Sequence, residues 1–336
     1  MFRKNFTTTM FVCVLSIACK PTCAAVVEKI TVGTACCDHE IQNGMDFTGR
    51  SLREHQIEIQ TYGECMPDPI SLYDVNFTNA SLVRSRWAEA VLPKYCSFRG
   101  AKLTDAEMEC NELESCDFTG ATIEGAWIKA ITAEQLCSTA SYRDKNLRGF
   151  RSHVLLSGVS FAGFDLRDTR LYIDETCDIT DADIRGATLL FFPSKYRDKV
   201  GSGMYPQISA TDFPWRMIQS TKSYQEGTLE GFTFSRRIDW SEVDLSGLNL
   251  TNTSFVFDFN SAKDRTSQWK DSMFHDAVIT GADCRNLTFE QIQQTWNYKH
   301  GHMKGIFVSK EVKAALAAEA EQAAKESAEA KPTTTE

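Results

Sequence analysis

Between Cys96 and Ile128 a large apolar residue returns every fifth position: Phe98, Leu103, Met108, Leu113, Phe118, Ile123 and Ile128. Two positions before each stands Cys96, Ala101, Ala106, Asn111, Cys116, Ala121 or Ala126, nearly all small. A period of five fits neither the helical 3.6 nor the simple strand period of 2. It fits a short extended side followed by a corner. Within a side, residues two apart point the same way, so the large residue and the small one before it both face inward. Four such sides close a square coil of about twenty residues, stacked on the next at roughly 4.8 Å. A fixed internal period of this kind sets the architecture.

The model predicts likeness at a spacing of one coil, and the chain carries it. Cys96-Ser97-Phe98-Arg99-Gly100-Ala101-Lys102-Leu103 aligns with Cys116-Asp117-Phe118-Thr119-Gly120-Ala121-Thr122-Ile123. Phe98 is therefore expected to stack on Phe118, with Gly100 and Gly120 at the corners. Further runs centre on Phe77, Leu82, Trp87 and Leu92; on Phe161, Leu166 and Leu171; on Ile179, Ile184 and Leu189. Others centre on Trp240, Leu245, Leu250 and Phe255, and on Phe274, Ile279 and Cys284, with a weaker run at Phe47, Leu52 and Ile57. These centres form the expected core.

Ala182-Asp183-Ile184, Val243-Asp244-Leu245 and Leu248-Asn249-Leu250 resemble the units of the pentapeptide repeat family, Ala-(Asp/Asn)-Leu-x-x with Leu or Phe at the centre. The resemblance spans most of residues 45–287. It implies an all-β solenoid, a right-handed quadrilateral β-helix.

A second repeat interrupts the first. Leu136, Thr139 and Tyr142, then Leu147 and Gly149, form one module. Ile218, Thr221 and Tyr224 with Leu229 and Gly231 form the next, and Ile292, Thr295 and Tyr298 with Met303 and Gly305 the third. Thr132-x-x-Gln135 and Thr288-x-x-Gln291 read as capping boxes opening a short helix. Pro214 holds the matching place in the second module, which a first helical turn tolerates. The spacing predicts one short helix whose Leu136, Thr139 and Tyr142 share a face against the coils. Such modules either plug a coil edge against strand addition or build a surface for a partner.

The expected organisation is a signal peptide over 1–25, an N-terminal segment over 26–44 and the β-helix over 45–308. The modules lie near 132–149, 214–231 and 288–305, and a tail of Ala, Glu and Lys covers 309–336. Arg3 and Lys4, the apolar Met10–Ala18 and the small residues after Thr22 resemble a secretion signal. Ser16-Ile17-Ala18-Cys19 also suggests a lipoprotein site with lipid on Cys19. The expected location is outside the cytoplasm: extracellular, cell surface or periplasm. No transmembrane span is expected in the mature chain, the apolar run being too short. The stretch 190–212 reads as a loop, and the tail as a solvated helix giving way to disorder, with a short association helix as the alternative.

The chain is acidic, net −9. Loss of Arg3, Lys4 and Lys20 leaves 33 basic against 45 acidic side chains, net −12. That balance disfavours direct nucleic-acid binding. Of twelve cysteines, Cys13, Cys19 and Cys23 lie in the signal. Cys96, Cys116 and Cys177 take the small inward position and Cys284 a centre, where a thiol behaves as a small apolar group. Cys96 and Cys116 fall one coil apart, but parallel side chains do not readily bridge. Cys36, Cys37 and Cys65 lie among weak repeats and suit disulfides better.

No catalytic residue, cofactor or metal site is expected. Asp178, Asp181 and Asp183 occupy outward repeat positions rather than a calcium loop. Cys36-Cys37-Asp38-His39 and His300-Gly301-His302 lack a second cluster for zinc. Glu107, Glu112 and Asp117 could converge on one face as acid catalysts, but exposed acids also follow from the repeat itself. Three readings of function result. The first is a secreted, non-catalytic scaffold that binds a protein partner. The second, drawn from the resemblance, is an acidic rod that imitates DNA and binds a topoisomerase. The third is a carbohydrate-active β-helix enzyme.

Overall fold

The structure, a computed structural model, describes residues 29–34, 37–53, 56–60, 70–89, 91–195, 208–209, 214–234, 238–255 and 269–329. Of 29–34, 37–40, 56–60, 70, 208–209 and 328–329 it describes the backbone alone. The expected signal with Cys19, the cysteines Cys36 and Cys65, and most of the 190–212 stretch lie outside the described residues.

Short strands run along the chain: β1 (Lys29–Thr34), β2 (Cys37–Glu40), β3 (Gln56–Gln60), β4 (Ile70–Tyr73), β5 (Arg86–Trp87) and β6 (Val91–Lys94). They continue as β7 (Glu107–Met108), β8 (Trp127–Ile128), β9 (Arg151–Leu155), β10 (Arg170–Ile173), β11 (Thr188–Phe191), β12 (Ile208–Ser209) and β13 (Ile238–Asp239). One side of the coil stack forms a nine-stranded sheet in the order β11-β10-β9-β8-β7-β5-β3-β1-β2. From β3 to β11 every pairing is parallel, as stacked coils require. Glu107 pairs with Trp127 and Met108 with Ile128, one repeat of the coil apart. The other sides pair mostly through single bridges such as Ser97↔Asp117 and Lys102↔Thr122.

The fold is thus a parallel β-solenoid, and most inside positions are those the period predicts; Leu92 is an exception, half-buried on β6 while Val91 and Pro93 on either side of it face inward. Phe98, Leu103, Met108, Phe118, Ile123, Ile128, Phe161, Leu166, Ile184, Leu245, Leu250, Phe255 and Ile279 are all buried. Phe47, Phe77, Phe98 and Phe118 stack in a column, with successive ring centroids 5.3, 5.2 and 5.0 Å apart and nearly parallel planes. Ala80, Ala101 and Ala121 beside them are fully buried, because the narrow interior holds one bulky side chain per side. Corners bend through left-handed residues two after the centre. At Gly149 (φ 72°) an added Cβ would stand 3.1 Å from the Cα of Gly125, so this corner needs glycine for space as well as conformation.

Three departures from the sequence expectations stand out. Within the segment expected over 26–44, β1 pairs antiparallel with β2 on one side and with β3 on the other. Together β1 and β2 continue the sheet past the first coil and replace its open parallel edge with an antiparallel pair.

Each module is two helices, not one. These are α1 (Ala133–Ser138) with α2 (Ala140–Arg143), α3 (Pro214–Gln219) with α4 (Lys222–Gln225), and α5 (Phe289–Gln294) with α6 (Trp296–Lys299). Thr139 is extended (φ −70°, ψ 157°) between α1 and α2, so Leu136, Thr139 and Tyr142 cannot share one helical face.

The tail helix α7 (Lys310–Glu329) is solvated only beyond its first turns. Val312 is buried and Leu316, four residues on and on the same face, packs half-buried against the core. No helix among the described residues is long and apolar enough to cross a membrane.

Candidate interaction surface

The helix pairs interrupt the coil ladder at three places, and each break is repaired in the same way. Within regular coils a centre donates its N–H to a carbonyl of the next coil, as Leu103 does to Thr122 O at 2.8 Å. Ile123 has no such strand carbonyl and donates to Ser141 Oγ at 2.8 Å. Ile184 donates to Ser223 Oγ at 2.8 Å, and Ile279 to Asn297 Oδ1 at 2.7 Å. A buried N–H without a partner is expensive, so the side-chain oxygen stands in for the missing strand.

The threonine between the helices serves both. Thr139 Oγ1 donates to Leu136 O at 2.8 Å and accepts from the N–H of Tyr142 at 3.1 Å. It thereby closes one helix and caps the next. Thr221 and Thr295 repeat the arrangement with Ile218 and Tyr224, and with Ile292 and Tyr298. Gln135 and Gln291 complete both expected capping boxes. They also reach back: Gln135 Nε2 donates to Leu113 O and Cys116 O at 2.6 and 2.8 Å, and Gln291 Nε2 to Trp269 O at 2.6 Å.

Leu136, Ile218 and Ile292 are buried in the core, whereas the tyrosines are half-buried on the outside. Tyr142 packs on Phe164 with centroids 4.9 Å apart and donates to Ser160 O at 2.6 Å. Tyr224 meets Trp215 edge-on at 5.4 Å, and Tyr298 contacts Phe289 and the Glu319 carboxylate of α7. The modules are stitched into the stack rather than laid over it. The Leu, Thr and Tyr spacing does not single out Ser141, Ser223 and Asn297. Their signal is the recurrence Thr139-Ala-Ser141, Thr221-Lys-Ser223 and Thr295-Trp-Asn297.

The candidate acids do not converge. Glu107 pairs with Arg86 at 3.1 Å, Asp117 with Arg99 at 2.9 Å, and Glu112 with Lys94. Asp178 accepts from the N–H of Thr180 at 2.9 Å, while Asp183 pairs with Arg185 and accepts from Ser223 Oγ at 3.0 Å. Burial pushes the Asp183 carboxyl up, but the Arg185 guanidinium and N–H and the Ser223 hydroxyl together hold it down, to about 2. His300 and His302 each stack on Trp296, at 4.5 and 5.2 Å. Among the described residues no group of three or more His, Cys, Asp or Glu side chains could hold a metal ion.

Cys96, Cys110, Cys116, Cys177 and Cys284 are buried free thiols, and Cys137 is exposed. Cys96 Sγ donates to Leu72 O at 3.3 Å and Cys116 Sγ to Pro93 O at 3.4 Å. Burial raises Cys110 to about 12 and Cys177 to about 11, far from thiolate chemistry.

Square coils, small inward residues and aligned centres define a β-solenoid built by repetition. Residues 95–129 match the family described as "Pentapeptide repeats", in eight copies. Among solved structures the chain is similar to HetL, a pentapeptide repeat protein involved in heterocyst differentiation regulation from the cyanobacterium Nostoc sp. strain PCC 7120. Identity there is 14%, coverage 80% of this chain and 86% of that one, and the TM-score 0.23. It is also similar to QnrB1, a plasmid-mediated fluoroquinolone resistance protein, at 13% identity, covering 82% and 97%, with a TM-score of 0.17. Likenesses of this size carry no argument about partners. Among curated proteins none matches the sequence.

Proposed function

We propose that the protein is an exported, non-catalytic scaffold that offers a rigid surface to a protein partner. One observation carries the reading: a hydrogen-bonded column that persists through the first two helix pairs. Leu82, Leu103, Ile123, Leu147, Leu166, Ile184, Leu229 and Leu250 follow one another along one side. Backbone bonds link the regular coils, and Ser141 and Ser223 tie in α2 and α4 at the interruptions. A surface mounted on such a stack loses little conformational freedom on binding. Export is supported by the basic and apolar start and the small residues that follow it. Cell fractionation, N-terminal sequencing of the mature form and identification of a co-purifying protein test it. A cytoplasmic chain that retains Met1 removes export, and measurable turnover of a polysaccharide removes the non-catalytic reading.

The net charge favours a second reading, an acidic rod that imitates DNA. Its outward acids, however, alternate with arginines, as in Asp165–Arg167 and Asp183–Arg185. Inhibition of gyrase supercoiling by the mature chain would support it.

A further inference from the structure

On the outer face of the nine-stranded sheet, Trp127, Arg151 and Arg170 stand in one row on β8, β9 and β10. Arg151 is in register with Trp127 on one side and with Arg170 on the other. Neighbouring strands lie about 4.8 Å apart, and like charges directly opposite each other repel. Arg86, Arg99, Arg148, Arg167 and Arg185 each reach a carboxylate. Arg151 and Arg170 are exposed and in no ion pair among the described residues.

Beside them lie Lys129 and His153, and Tyr172, in register with Leu155, brings its ring next to His153. The His153 ring lies 5.6 Å from Trp127 and 6.1 Å from Tyr172. Burial, then Arg170 and Lys129, holds His153 below its usual pKa. The β9–β10 register shifts between the Arg151 and Leu155 pairings, a bulge that leaves Val154 and Leu155 half-exposed. Bulges re-aim side chains and gather at functional edges. Two adjacent, unneutralised guanidiniums weaken the fold, and local conflicts of this kind concentrate at functional sites.

We propose that this face docks an acidic protein segment. Its carboxylates pair with Arg151 and Arg170, and an apolar neighbour rests against Tyr172 and Leu190. Guanidinium suits carboxylate through paired parallel hydrogen bonds. An acidic glycan fits less well: the rings are tilted by 50° and 68° to one another and form no flat platform for sugars. The inference rests on the scaffold reading and specifies its partner's chemistry.

The test titrates the full chain into a labelled peptide of alternating Glu and Leu, read by fluorescence anisotropy. Saturable binding is expected, weakened at least about tenfold by Arg151→Gln with Arg170→Gln and weakened by added salt. Arg99→Gln with Arg148→Gln, an equal change of charge at paired positions, should bind within about twofold of the parent. The Arg151/Arg170 variant should melt no lower than the parent, which separates lost docking from lost folding. Absence of binding, equal binding by that variant, or tighter binding of a heparin-type sulfated oligosaccharide overturns the proposal. A native partner held equally well after the double substitution also overturns it and leaves the scaffold reading intact. Failure of the full chain to hold any protein from its own compartment removes the scaffold reading instead, while the peptide titration still decides the face.

Discussion

Ser141 Oγ accepts the backbone N–H of Ile123 at 2.8 Å, where a strand carbonyl serves the equivalent Leu103. A single hydroxyl therefore joins a helix pair to the ladder it interrupts. Ser141→Ala orphans a buried donor and is expected to cost about 1–3 kcal/mol. Ser223→Ala should cost a similar amount. Ser138→Ala, which loses only a local bond to Gln135 O, should cost under about 1 kcal/mol. Urea melts compare them, and equal midpoints for Ser141→Ala and Ser138→Ala would remove the stitching role.

Phe118 and Thr119 are neighbours with opposite fates, one fully buried and one exposed. Phe118→Asp places an unpaired charge in a dry column and should cost at least about 3 kcal/mol. Thr119→Asp should change stability by only about 0.5 kcal/mol. Similar melts for the two would contradict the inward assignment.

Gly149 and Gly158 share left-handed backbones but not surroundings. An added Cβ at Gly158 meets nothing within 4 Å, whereas at Gly149 it meets the backbone of Gly125 at 3.1 Å. Gly158→Ala should therefore cost about 1 kcal/mol, the left-handed penalty alone. Gly149→Ala should cost clearly more, because backbone must move. Thermal melts rank the two, and the reverse order would show that the coils separate easily here.

Asp183 ionises near pH 2 in the fold against an ordinary 3.8. The folded value is depressed, so its contribution is fully present above about pH 5 and fades as acid protonates it down through pH 2. The contribution is at most about 2.5 kcal/mol. Asp183→Asn should flatten the loss of stability between pH 5 and pH 2, as urea midpoints across that range will report. An unchanged slope would mean that Arg185 and Ser223 do not favour the ionised form.

Cys137 is the exposed thiol among the described cysteines. Iodoacetamide on the native chain should modify it at least about tenfold faster than Cys110, Cys177 or Cys284, which are buried and protonated. Peptide mapping reads the outcome. Comparable labelling of Cys284 would mean that the last coils open readily.

Much of this molecule is legible one residue at a time. The centres at Phe98, Phe118 and Leu245, the small partners Ala101 and Ala121, and the capping boxes at Thr132 and Thr288 follow from local pattern. Ser141, Ser223 and Asn297 were readable as a recurrence but not as a role, since their acceptors act on Ile123, Ile184 and Ile279 from a neighbouring coil. The antiparallel strands β1 and β2 carry no five-residue period, and β1 pairs with β3 across an intervening segment. The docking of α7 rests on Val312 and Leu316, too few apolar residues to announce a packed face.

The period and the identity of the inward residues were written in the chain itself, because a side of five residues obeys only local geometry. Which outward residues become neighbours was settled by tertiary structure. Coil lengths vary wherever a helix pair is inserted, and each insertion shifts what lies beside what. Arg151 comes to stand beside Arg170 because one uninterrupted coil lays β10 on β9, whereas α1 and α2, inserted before Arg151, decide that Trp127 is its neighbour on the other side.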